Sequence, residues 1–298
     1  MALIIKRAKF LGFCEGVKRA IDLTEQALSN QSLKKQKSNI TVVGELIHNK
    51  QVVSELQNRG LQIVSSVEEV KPGSTLIVRS HGMPKAHIDK AKKKGIEIID
   101  ATCVKVKRLH NITRILVEQG YDVVLVGDHN HAEVEAIVES VQDNITVVST
   151  PEELKDKKFS KKIGVIAQTT QSEQNFIDVV TNLLKISREM KIYNTICNAS
   201  ILRQNAAASL SREVDLMVVI GGKHSANTNR LAEICRKNVE TIHIETGDEI
   251  LPENIKGKKS IGITAGASTP SWIVDKVEEK IRKLSGSHNP SKKVKNTL

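Results

Sequence analysis

Leu3-Ile-Ile-Lys-Arg-Ala-Lys-Phe10, then Leu11-Gly-Phe-Cys14, then Glu15-Gly-Val-Lys-Arg-Ala-Ile21 is the stretch that decides the fold. An apolar strand runs into a turn with glycine, and the turn ends in a cysteine at the head of a helical run. The arrangement returns twice. Ile96-Glu-Ile-Ile-Asp100 leads through Ala101-Thr-Cys103 into a run with Val106, Leu109, Ile112 and Leu116 on one face. Lys191-Ile-Tyr-Asn194 leads through Thr195-Ile-Cys197 into an alanine-rich helix. The cysteines stand 89 and 94 residues apart. Unpaired amides and the dipole at a helix N-terminus stabilise a thiolate. Three such thiols in register therefore point to three equivalent units aimed at one shared place.

Between the cysteines the chain repeats itself, and internal periodicity outranks any other fold signal. After each cysteine helix comes an apolar strand: Ile40-Thr-Val-Val-Gly44, Asp122-Val-Val-Leu-Val-Gly127 and Asp215-Leu-Met-Val-Val-Ile-Gly221. Each opens onto a polar loop, Glu45-Leu-Ile-His48-Asn49, Asp128-His-Asn-His131-Ala-Glu133 and Gly222-Lys-His-Ser225-Ala-Asn227. A second strand follows at Leu61–Val64, Ile145–Val148 and Thr241–Ile244, then an acidic turn such as Thr150-Pro-Glu-Glu-Leu154. In that turn Thr150 reads as an N-cap, with Pro151 at the first helical position and Glu153 three residues after the cap. A third strand ends on Arg79-Ser-His81-Gly82, Gln168-Thr169-Thr170 and Ala265-Gly-Ala-Ser268. The third unit lacks a closing strand before the chain ends, and the orphan strand at Leu3–Phe10 can supply it.

Alternating strands and helices imply α/β units with small, mostly parallel sheets and right-handed crossovers. The expected layout is three pseudo-threefold-related units around a central cavity: residues 14–102, residues 103–196, and residues 197–284 joined by the N-terminal strand 1–13. Residues 285–298 read as a basic disordered tail, and Lys34-Lys35-Gln36-Lys37 as a solvated loop. In parallel sheets ligands gather at the carboxyl ends of strands, so the cysteines and polar loops should meet there.

Composition narrows the function classes. The 45 basic and 34 acidic residues give +11, which favours anionic ligands, though part of the excess lies in the tail. One Trp, two Tyr and four Phe leave few stacking platforms for single-stranded nucleic acid. No secretory signal is visible at Met1–Phe10, and no apolar run approaches a membrane helix. Four cysteines without close pairs argue against a disulfide framework. The chain reads as cytoplasmic.

Zinc commonly takes close ligand pairs, and none occurs here. A cubane iron–sulfur cluster held by three cysteines keeps one iron open to substrate; three unrelated buried thiols are the plainer alternative. Cys235, with no counterpart in the other units, reads as core. His48, His81 and His131 each follow an apolar strand on a turn. With Thr169, Ser225, Asn227 and Ser268 they would form a donor cage suited to a phosphate or diphosphate. Glu133 is either an acid at a helix start or, in an anion-binding cavity, a proton donor with a raised pKa.

These residues resemble 4-hydroxy-3-methylbut-2-enyl diphosphate reductase, the last enzyme of the non-mevalonate isoprenoid pathway. The resemblance is carried in order by Gly12-Phe-Cys14-Glu-Gly-Val17, Gly44-Glu-Leu-Ile-His48-Asn49, Arg79-Ser-His81-Gly82, Asp100-Ala-Thr-Cys103, His131-Ala-Glu133-Val134, Gln168-Thr-Thr170, Thr195-Ile-Cys197-Asn-Ala199, Ser225-Ala-Asn227-Thr228 and Thr264-Ala-Gly-Ala-Ser268. It spans residues 4–284. It implies one 4Fe–4S cluster on Cys14, Cys103 and Cys197, and a diphosphate held at His48, His81, His131, Thr169, Ser225, Asn227 and Ser268. It implies Glu133 as proton donor and a small electron carrier, ferredoxin or flavodoxin-type, as partner. The reaction implied is a reductive dehydroxylation of an allylic alcohol diphosphate, giving isopentenyl or dimethylallyl diphosphate. Val104 and Ala132 stand where the family often has proline, Ala226 where many relatives have serine, and Ser200 where threonine is common. Ala226 removes one hydrogen bond to the diphosphate. Two other readings are a three-cysteine iron–sulfur lyase or synthase, whose carboxylate substrates would call for clustered arginines, and a non-enzymatic basic redox-sensing or nucleic-acid-binding protein.

Overall fold

Runs of Val, Ile and Leu too short for helices set the strands, and helical runs with one apolar face separate them. A computed structural model describes residues 3–34, 39–141, 145–155 and 157–286. Positions 35–37 of the lysine-rich loop and 287–298 of the tail lie outside the described residues. The first elements are β1 (Ile4–Arg7), α1 (Glu15–Lys34), β2 (Ile40–Val43), α2 (Lys50–Asn58), β3 (Leu61–Val64), β4 (Thr75–Val78), α3 (Lys85–Lys93) and β5 (Glu97–Asp100). The series continues with α4 (Val104–Glu118), β6 (Asp122–Val126), α5 (Ala132–Val141), β7 (Ile145–Val148), β8 (Lys162–Ala167), α6 (Glu173–Leu184) and β9 (Glu189–Ile192). It closes with α7 (Asn198–Ser211), β10 (Leu216–Ile220), α8 (Ala226–Arg236), β11 (Thr241–Ile244), α9 (Pro252–Ile255), β12 (Ser260–Ala265) and α10 (Ser271–Leu284).

Among the described residues these strands form three four-stranded sheets, ordered β3-β2-β4-β5, β7-β6-β8-β9 and β11-β10-β12-β1. Every pairing is parallel. The fourth place, held by β5 and β9 in two sheets, is taken in the third by β1, with Ile4 opposite Ser260 and Arg7 opposite Ile263. The two ends of the chain thus share one sheet. Central strands such as β4 and β10 are buried along their whole length, as expected when helices cover both faces. Alternation along each strand divides its residues between two cores: Ile77 packs with α1 and α2, and Leu76 with Ala91 of α3 and Val67. The other sheets are split in the same way, Val124 from Leu125 and Val218 from Val219.

The acidic turn at Thr150 has the expected N-cap and first-position residues, Thr150 and Pro151, without the side-chain cap bond. Pro151–Leu154 is a single 3-10 turn. The Thr150 hydroxyl pairs with Glu152 instead. In the 3-10 turn the Glu153 amide, the donor a capping box would use, is spent on the Thr150 carbonyl at 3.3 Å. Glu153 still reaches back, accepting from the Ser149 amide at 3.2 Å, and Glu69 and Glu249 accept from the amides of Ser65 and Glu245 in the other units.

One close packing contact sets a stability prediction. Leu116 of α4 is fully buried against β8, where a Cβ on Gly164 would come within 2.9 Å of both its methyl carbons. Leu116→Ala is expected to cost about 3 kcal/mol, read as a lower urea midpoint at unchanged slope. A midpoint equal to that of the unsubstituted chain would contradict this account of the packing.

Candidate active site

Parallel strands deliver their loops to one end, and the cysteines sit there by a common local device. Each is the residue before a helix: Cys14 before α1, Cys103 before α4 and Cys197 before α7. The carbonyl of each accepts the first helical bond, from Lys18 at 2.9 Å, Lys107 at 2.9 Å and Ile201 at 3.1 Å. The amide of each donates to the loop that follows a third strand: Cys14 to Ala267 O at 3.0 Å, Cys103 to Ser80 O at 3.0 Å and Cys197 to Thr169 O at 2.9 Å. Asx turns guide two of the approaches, with Asp100 accepting from the Thr102 amide at 2.9 Å and Asn194 from the Ile196 amide at 3.1 Å.

All three thiols line one cavity. The Val17 amide reaches Cys14 Sγ at 3.4 Å. Burial pushes the Cys103 thiol up; amides of Lys105 and Val106 act against that, and the nearby Cys14 and Cys197 reinforce it. Gly16 keeps the space between them open. A Cβ there would lie 2.8 Å from Cys103 Sγ and 3.9 Å from Cys14 Sγ. Three soft sulfur ligands converging from three directions, with a glycine where a methyl would intrude, fit an iron–sulfur centre that takes three protein ligands.

The opposite part of the cavity is lined by histidines. His48 and His131 each stand four residues past a loop glycine, Gly44 and Gly127, with Ser225 at the same distance from Gly221. His81 arrives from the loop after β4. The ring centroids are 4.7, 5.6 and 5.4 Å apart, and one nitrogen from each ring lies within 4.8 Å of the others. Burial lowers all three pKa values: His131 to about 3, His81 well below the ordinary value, and His48 below it despite Glu45, whose Oε2 is 3.7 Å from Nδ1. Each also feels the charge of Arg79, which is half-buried and does not line the cavity.

Unpaired polar atoms belong to and surround these rings. Both nitrogens of His48, Nδ1 of His81, both amide atoms of Asn227 and Oγ1 of Thr170 are buried without a hydrogen-bond partner. Ser225 caps α8, accepting from the Thr228 amide at 3.4 Å, so its own proton is available to a ligand. Ser268 Oγ donates to His48 O at 3.0 Å, and Gly222 lets its loop approach that carbonyl, where a Cβ would come within 2.6 Å. Native interiors rarely leave so many polar atoms unmet in one place. Three convergent imidazoles alone could take a cation or an anion; Asn227, Ser225 and Thr170 beside them suit a polyanion.

Glu133 lies between the two parts and is fully buried. Its Oε1 accepts from the Thr169 amide and its Oε2 from the Thr169 hydroxyl, both at 2.7 Å. The Glu133 amide donates to His131 Nδ1 at 3.1 Å. Burial raises the carboxyl pKa; the two Thr169 bonds work against that rise, and Asp128 adds to it. Thr169 therefore serves Glu133 here as well as facing the cavity. Every residue that the motifs single out as a site candidate lines this one space. Lys105, Ser200 and Thr170 line it too. Arg203, buried within the electrostatic reach of Cys14 and Cys197, carries no motif signal beyond being a lone charge in an alanine-rich helix.

The histidines make ligand-free stability depend on pH. An unfolded histidine titrates near 6.5, whereas His131 in the fold titrates at about 3. Below about pH 6.5 the unfolded chain takes up protons that the folded chain refuses. Stability is therefore full above that pH and declines as pH falls toward 3. Thermal unfolding from pH 8 to 4 should show a shallower decline for His131→Asn, and added inorganic diphosphate should blunt it for the unsubstituted chain. Parallel pH profiles for the two proteins would refute this reading.

Residues 5–282 match the family model described as LytB protein. The chain belongs to the LytB protein family. A family member from Caldanaerobacter subterraneus subsp. tengcongensis is 43% identical over 282 residues, covering 94% of this chain and 96% of that one. Another, from Aquifex aeolicus, is 43% identical over 281 residues, covering 93% and 95%. Both are named 4-hydroxy-3-methylbut-2-enyl diphosphate reductase. A solved structure described as (E)-4-hydroxy-3-methyl-but-2-enyl diphosphate reductase, the terminal enzyme of the non-mevalonate pathway, aligns with TM-score 0.66 at 42% identity, over 95% of this chain and all of that one. The Plasmodium falciparum E-1-hydroxy-2-methyl-but-2-enyl-4-diphosphate reductase aligns with TM-score 0.88 at 27% identity, over 97% and 89%. This LytB-family chain is an enzyme of that reductase group. Among the described residues no helix is long and apolar enough to cross a membrane.

Proposed function

We propose that the protein converts (E)-4-hydroxy-3-methylbut-2-enyl diphosphate to isopentenyl diphosphate and dimethylallyl diphosphate by reductive dehydroxylation. One observation carries the reading: three thiols from three loops, a buried carboxyl and a cage of unpaired polar atoms share one cavity. Cys14, Cys103 and Cys197 would hold a 4Fe–4S cluster, which supplies electrons one at a time and an iron without a protein ligand. The diphosphate lies against His48, His81, His131, Ser225, Asn227 and Ser268, within reach of the N-termini of α5 and α8. Those contacts orient the allylic alcohol so that its hydroxyl end points to the cysteines. Filling the cavity excludes water and strengthens every electrostatic interaction inside it.

The reaction takes two electrons and two protons. The C–O bond breaks and the oxygen leaves as water with one proton; a C–H bond forms with the other. Glu133, whose pKa burial raises, supplies a proton by way of the Thr169 hydroxyl 2.7 Å away. Protonation at one end or the other of the allyl unit gives the two products. The electrons come from a ferredoxin- or flavodoxin-type carrier, and a reducing cytoplasm suits such a centre. A carboxylate-processing iron–sulfur enzyme would want arginines in the cavity, and Arg79 does not line it.

The test is anaerobic purification, analysis of iron and sulfide, and assay of the allylic diphosphate with a reduced viologen. Iron, sulfide and both alkenyl diphosphates are expected. A colourless protein that cannot be reconstituted would end the proposal.

A further inference from the structure

Six residues past each cysteine, the three helices present Ala20, Leu109 and Arg203, and all three positions are buried. Two of them obey the apolar pattern of a core-facing position. The third places a guanidinium where its equivalents place hydrocarbon. Arg203 is 7% exposed. It donates from Nη1 to Ala199 O and from Nη2 to Gly12 O, each at 2.7 Å, while Nε is buried without a partner. Both acceptors are neutral carbonyls. Among the described residues no carboxylate is a named contributor to its electrostatic surroundings; the acidic groups whose field it feels are the thiols of Cys14 and Cys197. Arg7, Arg230 and Arg282, by contrast, each meet carboxylates.

A buried cation without an opposite charge is costly, so the fold keeps one here only if something at the cysteines compensates it. We propose that Arg203 is the fixed countercharge of the three-cysteine centre, a positioning residue whose cation favours the reduced state of the group held there. The inference rests on the cluster reading above. Three thiolates make that group anionic, and each added electron makes it more so. A cation at fixed distance stabilises the more negative state more than the less negative one, with little screening in a buried place. Arginine suits the position because its planar fork bonds two carbonyls at once while keeping its charge. One of those carbonyls belongs to the turn carrying Cys14 and the other to the helix that begins after Cys197, so the same side chain ties two ligand-bearing segments together.

Charge and hydrogen bonding are separable by substitution. Arg203→Gln keeps amide hydrogens to offer the carbonyls and loses the charge; Arg203→Lys keeps the charge and loses the fork. The unsubstituted chain and both variants are loaded with iron and sulfide without oxygen, their metal content is measured, and each is titrated with a reductant to its midpoint potential. The expected result is a shift of Arg203→Gln to a more negative midpoint at unchanged iron content, with Arg203→Lys restored toward the unsubstituted chain. A purely structural anchor would leave the midpoint of a loaded variant where it was. Coincident midpoints for the Gln variant and the unsubstituted chain would overturn the inference. If the Gln variant holds no cluster while the Lys variant loads and titrates near the unsubstituted chain, the charge requirement stands. Loss of the cluster from both variants would assign the residue to loop anchoring alone and overturn it. An unsubstituted chain that takes up no iron and sulfide would remove the cluster reading, and this inference with it; equal midpoints would remove only this one.

Discussion

Cys103→Ser is expected to lose its iron and sulfide and to reduce turnover to background. Serine keeps the shape of the turn and its backbone bonds, including the amide bond to Ser80 O at 3.0 Å. What changes is the ligand: an alcohol does not ionise where a thiol can, and oxygen is a poor donor for an iron–sulfur centre. With two of three protein ligands left the centre has no stable seat, so the effect should exceed the roughly 10–100-fold cost typical of outer-shell changes. Cys235 provides the control. It is fully buried among Ala207, Leu231 and Ala232, and burial pushes its thiol up to about 12. Cys235→Ala should therefore keep full iron content and activity, with only a modest loss of stability. Iron analysis and visible absorption of the two variants settle the comparison. A Cys103→Ser protein with full iron and normal turnover would show that the thiols do not hold the cofactor.

Glu133→Gln is expected to lower kcat by about 10²–10⁴-fold while leaving the cluster and substrate binding in place. The amide has the size of the carboxyl and still accepts from the Thr169 amide, so the wall of the cavity survives. The proton does not. In the parent chain burial outweighs the two Thr169 bonds and holds the carboxyl above its ordinary pKa. A donor must be protonated, so parent activity should fall as pH rises through that raised value. The variant should lack this alkaline limb. Stopped-flow turnover across pH, with substrate affinity measured separately, separates the two. Normal turnover by Glu133→Gln would move the proton donor elsewhere.

Much of the fold was legible because it follows from near-neighbour physics. Strand and helix alternation lies in the spacing of apolar residues, as Val106, Leu109, Ile112 and Leu116 show on α4, where all four are buried. The short acidic turn at Thr150 was legible in the right place, with Thr150 at the N-cap and Pro151 first in the turn, but the missing side-chain cap bond was not visible. The cage histidines were visible as polar residues at the carboxyl ends of strands. Their charge state was not, because desolvation depends on what packs around a ring after folding.

Sequence by itself determined the three strand–cysteine–helix junctions, the alternation that makes parallel sheets, and which polar side chains those sheets carry to one end. These properties depend on residues within a few positions of each other. Only the tertiary structure decided that Thr169 turns its hydroxyl to Glu133, that three neutral imidazoles stand ring to ring, and that Arg203 lies in the field of two thiols. Each of those is a through-space relation between segments distant in the chain, 191 residues for Arg203 and Gly12. Burial and electrostatic field exist only once such segments have met.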